Sequence, residues 1–251
     1  SANSPGVVRA LAYSESPEPC LWMEYVDGEA PNPADFSVSG QREGLLAQIA
    51  LILAQVHGAG ICVNDLKAEN LLLKDGRPYL VDFGLATPNL FYDGNFRGTI
   101  SYAAPEKILH KANSFSADIF ALGIFNFYLI NGKTPADFFP KNEYLALVQN
   151  SGRWNRFLQE NIADDFWRKM LAYRAIDRPS AMETAQELAR RAHFELPNMA
   201  SIQIENTVFQ VQQKAAQTLM QKGRLRCDVL DEPERIAALF SLWAEADDST
   251  V

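Results

Sequence analysis

The sequence predicts an α+β fold, with short strands in its first third and helices over most of the remainder. The strand prediction rests on segments rich in aromatic and β-branched residues at 6–26 and on a hairpin signal at 71–81. The helix prediction rests on apolar residues that recur at helical spacing in several other segments. A chain of 251 residues, 47% hydrophobic and 22% charged, is long enough to bury a sizeable core.

The first strands are predicted at 7–13 and 20–26, joined by a turn rich in Ser, Glu and Pro. Later, 71–74 and 78–81 flank an Asp-Gly dipeptide, which reverses a chain tightly because glycine accepts a positive φ at little cost. These segments predict one antiparallel hairpin in the middle of the sequence.

A first long helix is predicted around Leu45 to Val56, ending at the glycines that follow His57. A second, at 117–130, is apolar on every side and should therefore be central in the fold. Neither apolar stretch is long enough to span a bilayer. Further helices are predicted at 141–150, 163–173 and 181–193, the last opened by a Ser180 and Glu183 capping box.

The segment from 197 to 251 is predicted to form a helical extension of two amphipathic helices. Their apolar positions are Ile204, Val208, Val211 and Ala215 in the first, and Ile236, Leu239, Phe240 and Trp243 in the second.

Charge and cysteine content narrow the class of protein. A formal net charge of −8 argues against general affinity for nucleic acid or anionic membranes. The three cysteines, Cys20, Cys62 and Cys227, have spacings that fit neither a metal site nor a disulfide framework, so a reducing, cytoplasmic compartment is expected.

Four polar residues are predicted to converge at the open end of the hairpin. Asp65, Lys67 and Asn70 lie on the loop that enters it, and Asp82 lies on the loop that leaves it. Both loops must sit side by side because the hairpin is tight. Two carboxylates, an amide and an ammonium group suit a divalent cation with oxygen ligands and an anionic substrate group, for which magnesium and phosphate are the obvious pair.

The spacing D-x-K-x-x-N at 65–70, followed by Asp-Phe-Gly at 82–84, resembles the catalytic core of eukaryotic-type protein kinases. The segment 98–106 resembles the end of their activation segment, and 118–123 resembles the start of the central helix of their large lobe. The resemblance covers roughly residues 6–194.

The late Arg178-Pro-Ser resembles the family motif whose arginine pairs with the glutamate of Ala-Pro-Glu, here Glu106. By the same resemblance, Asp118 would brace the backbone of the catalytic loop. The family resemblance therefore implies a kinase-like fold, mainly the α-helical large lobe, with remnant small-lobe strands at 1–27, the large lobe at 28–196, and the extension at 197–251.

The resemblance also implies roles for the polar residues. Asp65 would orient the substrate hydroxyl and accept its proton, and Lys67 would neutralise the transferring phosphoryl group. Asn70 and Asp82 would hold Mg²⁺, with ATP as the phosphoryl donor and a protein as the substrate. Lys67 together with Thr99 resembles the Ser/Thr kinases rather than the tyrosine kinases.

Four residues would surround the adenine ring if the resemblance extends to the nucleotide site. Met23 falls at the gatekeeper position of the linker between lobes, backbone groups of Glu24 and Val26 would face adenine, and Leu72 would form the floor of the pocket.

Two departures from the family pattern affect the functional prediction. Val63 and Asn64 precede Asp65, where the family usually has His-Arg, so a phosphate on the activation segment would lack its usual partner. Val63 can still fill the apolar packing role, and His57 is expected to be packed and non-catalytic. The glycine-rich loop, the lysine strand and its partner glutamate cannot be placed, so we expect the chain to be an inactive fragment of an active enzyme.

Three functions therefore remain open from the sequence. The first is a Ser/Thr protein kinase, the second a pseudokinase or truncated scaffold that binds protein partners, and the third a small-molecule phosphotransferase of related fold. By the family resemblance, the sequence of segment 98–106 favours a peptide substrate over a small-molecule substrate.

Overall fold

A computed structural model of the chain describes residues 6–8, 10–14, 20–89, 94–110 and 113–196. The strands are β1 (Gly6–Val7), β2 (Ala10–Ser14), β3 (Cys20–Met23), β4 (Ile61–Cys62), β5 (Leu71–Lys74), β6 (Arg77–Leu80) and β7 (Thr87–Pro88). The helices are α1 (Ser39–Gly58), α2 (Pro105–His110), α3 (Phe115–Asn131), α4 (Lys141–Val148), α5 (Ser151–Asn161), α6 (Asp165–Met170) and α7 (Ala181–Ala192). This arrangement confirms the α+β class and the predominance of helix.

The core is built around α3, which the sequence correctly predicts to be central. Every residue from Ala117 to Phe127 is buried, and α1 and α6 pack against this helix. The other large contact joins α1 to α7. The helix α1 begins at Ser39, six residues before the first apolar position used to predict it, and it ends at Gly58 as expected.

The predicted hairpin is present as β5 and β6, with Leu71 opposite Leu80 and Lys74 opposite Arg77. Asp75 and Gly76 form its turn, with φ values of 51° and 73°. Such left-handed values at both central residues give a turn whose twist matches the strands. The hairpin packs against α1, which fixes the loops at its open end.

The prediction of a single strand at 7–13 is wrong, because this segment is divided between two sheets. β1 pairs in parallel with β6, and Val8 continues that pairing by donating to the Leu80 carbonyl at 3.0 Å. β2 instead pairs with β3 in a separate two-stranded sheet. β4 and β7 form the third. The predicted strand at 20–26 also ends early, at Met23.

Two helices, α2 and α5, were not predicted from the sequence. The helices predicted at 141–150, 163–173 and 181–193 are present as the shorter α4, α6 and α7, and the capping box of Ser180 and Glu183 is confirmed. The two helices predicted after residue 197 lie outside the described residues. None of the helices formed by the described residues is long and apolar enough to cross a membrane.

Candidate active site

The loop that enters the hairpin carries a closed network of hydrogen bonds centred on Asp65. Thr99 donates its hydroxyl to Oδ1 of Asp65 at 2.7 Å, and Lys67 Nζ lies 2.8 Å from Oδ2. Lys67 also donates to the Thr99 hydroxyl at 3.0 Å. Asn70 Nδ2 donates to the Asp65 backbone oxygen at 2.8 Å and to Oδ2 at 3.1 Å. Asp65, Lys67 and Asn70 are therefore together, as predicted, and Thr99 joins them, which the spacing of the hairpin does not predict.

The charge of Asp65 is stabilised by this network. Burial alone would raise the pKa of its carboxyl, but the hydrogen bonds from Lys67, Thr99 and Asn70 and the charge of Lys67 together lower the pKa below its ordinary value. Asp65 is therefore an ionised acceptor near neutral pH, suited to orienting a hydroxyl group.

The backbone of the same loop is anchored by Asp118, at the start of α3. Its carboxylate accepts from the backbone amides of Val63 and Asn64, each at 2.8 Å, and contacts His57 Nε2 at 2.9 Å. Asp118 is 1% exposed. The predicted bracing role is confirmed, as is the packed state of His57, whose ring stacks on Phe115. Val63 is fully buried, as its predicted packing role requires.

Asp82 lies on the neighbouring loop, and its position is fixed through the backbone. The amide of Val81 donates to the carbonyl of Asn70 at 3.1 Å, so Asp82 follows directly after a contact between the two loops. Oδ1 of Asp82 accepts from the Gly84 amide at 2.8 Å, and the side chain is exposed.

The donor set of Asn70 and Asp82 fits a magnesium ion. Because Asn70 commits its amide nitrogen to Asp65, its oxygen Oδ1 is oriented away from those bonds. Asp82 likewise uses Oδ1 in the turn, and Oδ2 of its exposed side chain lies outside that bond. One amide oxygen and one carboxylate oxygen, completed by water and phosphate, are the ligand types that Mg²⁺ prefers.

Of the four residues predicted around adenine, Leu72 lies in β5, and the chain that follows Val26 pairs with the hairpin. Glu29 exchanges two backbone hydrogen bonds with Leu73, at 3.1 and 2.7 Å. A Cβ at Gly28 would lie 2.6 Å from the Leu73 oxygen and 3.4 Å from Leu72 Cβ, so only glycine allows this approach. The linker thus runs beside the half-buried Leu72. Val26 is buried, whereas Met23 and Glu24 are exposed. Their roles toward adenine remain predictions.

A buried ion pair connects Glu106, at the end of segment 98–106, to the helical core. Arg178 bonds both carboxylate oxygens of Glu106, at 2.6 and 2.8 Å, and its side chain is fully buried. The predicted pairing is confirmed. The guanidinium also donates to the backbone carbonyls of Ser116, Ala172 and Tyr173.

Lys107 and the side chain of Asn64 were missed as parts of the site. Lys107 is 3% exposed and donates to both oxygens of Asn64, each at 3.0 Å. Because lysines are rarely buried, the residue type alone does not predict that Lys107 is a buried part of the site. The available signal was its place directly after the Glu106 motif, in a helix too short to recognise from periodicity.

Comparison with known proteins agrees with this geometry. The family model described as "Protein kinase domain" matches residues 1–188, which is most of the chain. Ribosomal protein S6 kinase 2 alpha of Xenopus laevis is 32% identical over 154 residues, covering 59% of this chain and 21% of the relative. Ribosomal protein S6 kinase alpha-2 of Mus musculus is 37% identical over 107 residues, covering 41% of this chain and 15% of the relative. The chain thus spans about a fifth or less of the length of these relatives.

Proposed function

Because the chain belongs to the protein kinase domain family, we propose that it transfers the γ-phosphoryl group of ATP to Ser or Thr hydroxyls of a protein substrate. The observation that carries this proposal is the network joining Asp65, Lys67 and Thr99. It places a carboxylate acceptor and a cation within one hydrogen bond of each other, on the loop that enters the hairpin.

Each group in that network has a task in phosphoryl transfer. Asp65 orients the attacking hydroxyl and accepts its proton as the new phosphate ester bond forms and the bond from the γ-phosphorus to the oxygen of the leaving ADP breaks. Lys67 places its positive charge beside the transferring group, where negative charge is spread over the phosphoryl oxygens. Asn70 and Asp82 would hold a magnesium ion, which supplies neutralisation of the phosphate charge when bound. Because transfer needs chiefly positioning and charge, a preformed network suits it.

The position of Thr99 favours a short substrate side chain. Its hydroxyl lies 2.7 Å from the Asp65 carboxylate, so the backbone at residue 99 passes close to the acceptor. A substrate peptide that follows this segment would bring its own backbone equally near. Ser or Thr hydroxyls reach the acceptor from that distance, whereas the phenol of Tyr requires a more distant backbone.

The test is an assay of the full-length gene product for magnesium-dependent transfer of labelled phosphate from ATP to peptides that carry Ser, Thr or Tyr. Asp82→Asn and Asp65→Asn should each lower kcat by about 10²- to 10⁴-fold. The matched control is Asp75→Asn, because Asp75 lies in the exposed turn of the same hairpin, where Asn also tolerates a left-handed φ.

Loss of transfer in both site variants, with full activity in Asp75→Asn, would support the proposal. Preferential labelling of Tyr would contradict the Ser/Thr assignment alone. No transfer by the wild-type protein would favour a binding role instead, as a pseudokinase or scaffold that presents the helical lobe to protein partners.

A further inference from the structure

Asn64 occupies the position directly before Asp65 and contacts the start of the segment that follows Asp-Phe-Gly. Its Nδ2 donates to the Leu85 carbonyl at 2.7 Å and to the Thr87 hydroxyl at 2.9 Å. Asn64 is 7% exposed, and its φ of 68° is left-handed, a conformation that Asn adopts more readily than most residues. Its amide group is thus turned into the protein and used by the fold.

Lys107 approaches the same residue from the opposite side. Its ammonium group donates to the Asn64 backbone oxygen and to Oδ1, both at 3.0 Å. Burial lowers the pKa of Lys107, while the surrounding charges of Asp118, Asp65 and Glu106 act in the opposite direction. A buried cation is costly unless it is well bonded, so these two contacts account for its position.

Gly98, at the start of segment 98–106, also lies beside Asn64 and Lys107. Gly98 has a φ of 114°, and a Cβ there would lie 2.5 Å from the Asn64 backbone oxygen and 3.5 Å from Lys107 Nζ. No side chain fits between them. Thr99 follows immediately and donates to Asp65, so the contact at Gly98 fixes the position of the residue that bonds the catalytic carboxylate.

We propose that Asn64 and Lys107 are a pair of positioning residues, here called the Asn64–Lys107 clamp, which holds both ends of segment 85–98 on the catalytic loop without a phosphate on that segment. The inference rests on the proposed function and deepens it, since it assigns how that site is kept assembled. The clamp acts through Gly98 and Thr99 on Asp65, and it uses a lysine from α2 as its cation.

The experiment compares the full-length wild-type protein with Lys107→Met, Asn64→Asp and their double variant. Lys107→Met removes the cation. Asn64→Asp keeps the acceptor of Lys107 and adds an opposite charge, so it should preserve folding while losing the donor to Leu85 and Thr87. Lys133→Met is the control, because Lys133 is exposed in the loop after α3.

Three quantities are measured for each protein: kcat and KM for ATP, corrected for the folded fraction by circular dichroism, and hydrogen exchange of residues 85–102. We expect both single variants to lower kcat by about 10- to 100-fold, with KM for ATP near the wild-type value. Their losses should not add in the double variant, because the two residues act as one unit. Backbone exchange at 85–87 and 98–102 should become faster, and phosphatase treatment of the wild type should leave kcat unchanged.

The clamp is refuted if Lys107→Met matches Lys133→Met in both kcat and exchange, if the losses add, or if phosphatase treatment abolishes wild-type activity. A wild-type protein without transfer would remove the proposed function. In that case faster exchange in the two single variants would still support the clamp, and unchanged exchange would remove it as well.

Discussion

Replacing Arg178 by Met should destabilise the protein more than any change to an exposed charge. The fully buried guanidinium bonds Glu106 through two contacts and donates to three backbone carbonyls. Met has similar length and no donor, so Glu106 and the carbonyls lose their partner while the volume is largely kept. Removing one partner of a buried ion pair costs about 3–5 kcal/mol. For a chain of this size that corresponds to a Tm lower by roughly 6–20 °C.

The assay is urea unfolding followed by the fluorescence of the buried Trp154 and Trp167, together with thermal unfolding. The control is Arg174→Met. Arg174 pairs with Asp177 at 3.8 Å, and the two side chains are 73% and 52% exposed, so its loss should cost about 0–1 kcal/mol. Glu106→Gln should be milder than Arg178→Met, because the arginine keeps its three carbonyl partners. The reasoning is refuted if Arg178→Met costs no more than Arg174→Met.

Two further predictions concern other carboxylates. Asp118→Asn should lower the free energy of unfolding, measured by thermal unfolding, by about 1–3 kcal/mol, because an amide nitrogen cannot accept from the Val63 or Asn64 amide. The control is Asp165→Asn, at a side chain that is 85% exposed. Equal losses of stability in the two variants would contradict the bracing role. Burial would raise the pKa of Asp164, but hydrogen bonds from Trp167, Arg191 and Phe166 lower the pKa below 3.8. The contribution of the Asp164 carboxylate to folding stability is therefore present above pH 3.8 and is lost as the pH falls through the lowered pKa. The stability deficit of Asp164→Asn, measured by urea unfolding, should therefore be present near neutral pH and vanish well below pH 3.8; a deficit independent of pH would contradict this sign.

The sequence predicts best those features that depend on local pattern. The all-round apolar character of 117–130 identifies α3 as central, and the Asp-Gly dipeptide identifies the hairpin turn. The proximity of Asp65, Lys67 and Asn70 follows from their closeness on one loop, and the tightness of the hairpin places the loop of Asp82 beside it. The pairing of Glu106 with Arg178, separated by 72 residues, came instead from family resemblance, since no local pattern joins them.

The features that were missed depend on tertiary contacts. α5 is the exception, because Trp154, Phe157 and Leu158 show helical i, i+3 and i+4 spacing, although Ser151, Gly152 and Asn155 at its start are weak helix formers. α2 has only six residues, too few for periodicity to be seen. The division of 7–13 between two sheets is decided by the neighbouring strand β6, which local sequence does not report. Burial of Lys107 depends on acceptors supplied by Asn64.

The contacts of Asp118 couple folding of the helical core to assembly of the candidate active site. The carboxylate that fixes the Val63 and Asn64 amides belongs to the first turn of α3, the helix around which the core assembles. The loop that carries Asp65 therefore cannot reach its native conformation until α3 has docked, and it cannot loosen by itself without giving up these buried bonds. The candidate site and the core should form in one cooperative step, so a mutation that weakens the core lowers the population of molecules in which the Asp65 loop is assembled, even when it lies far from Asp65.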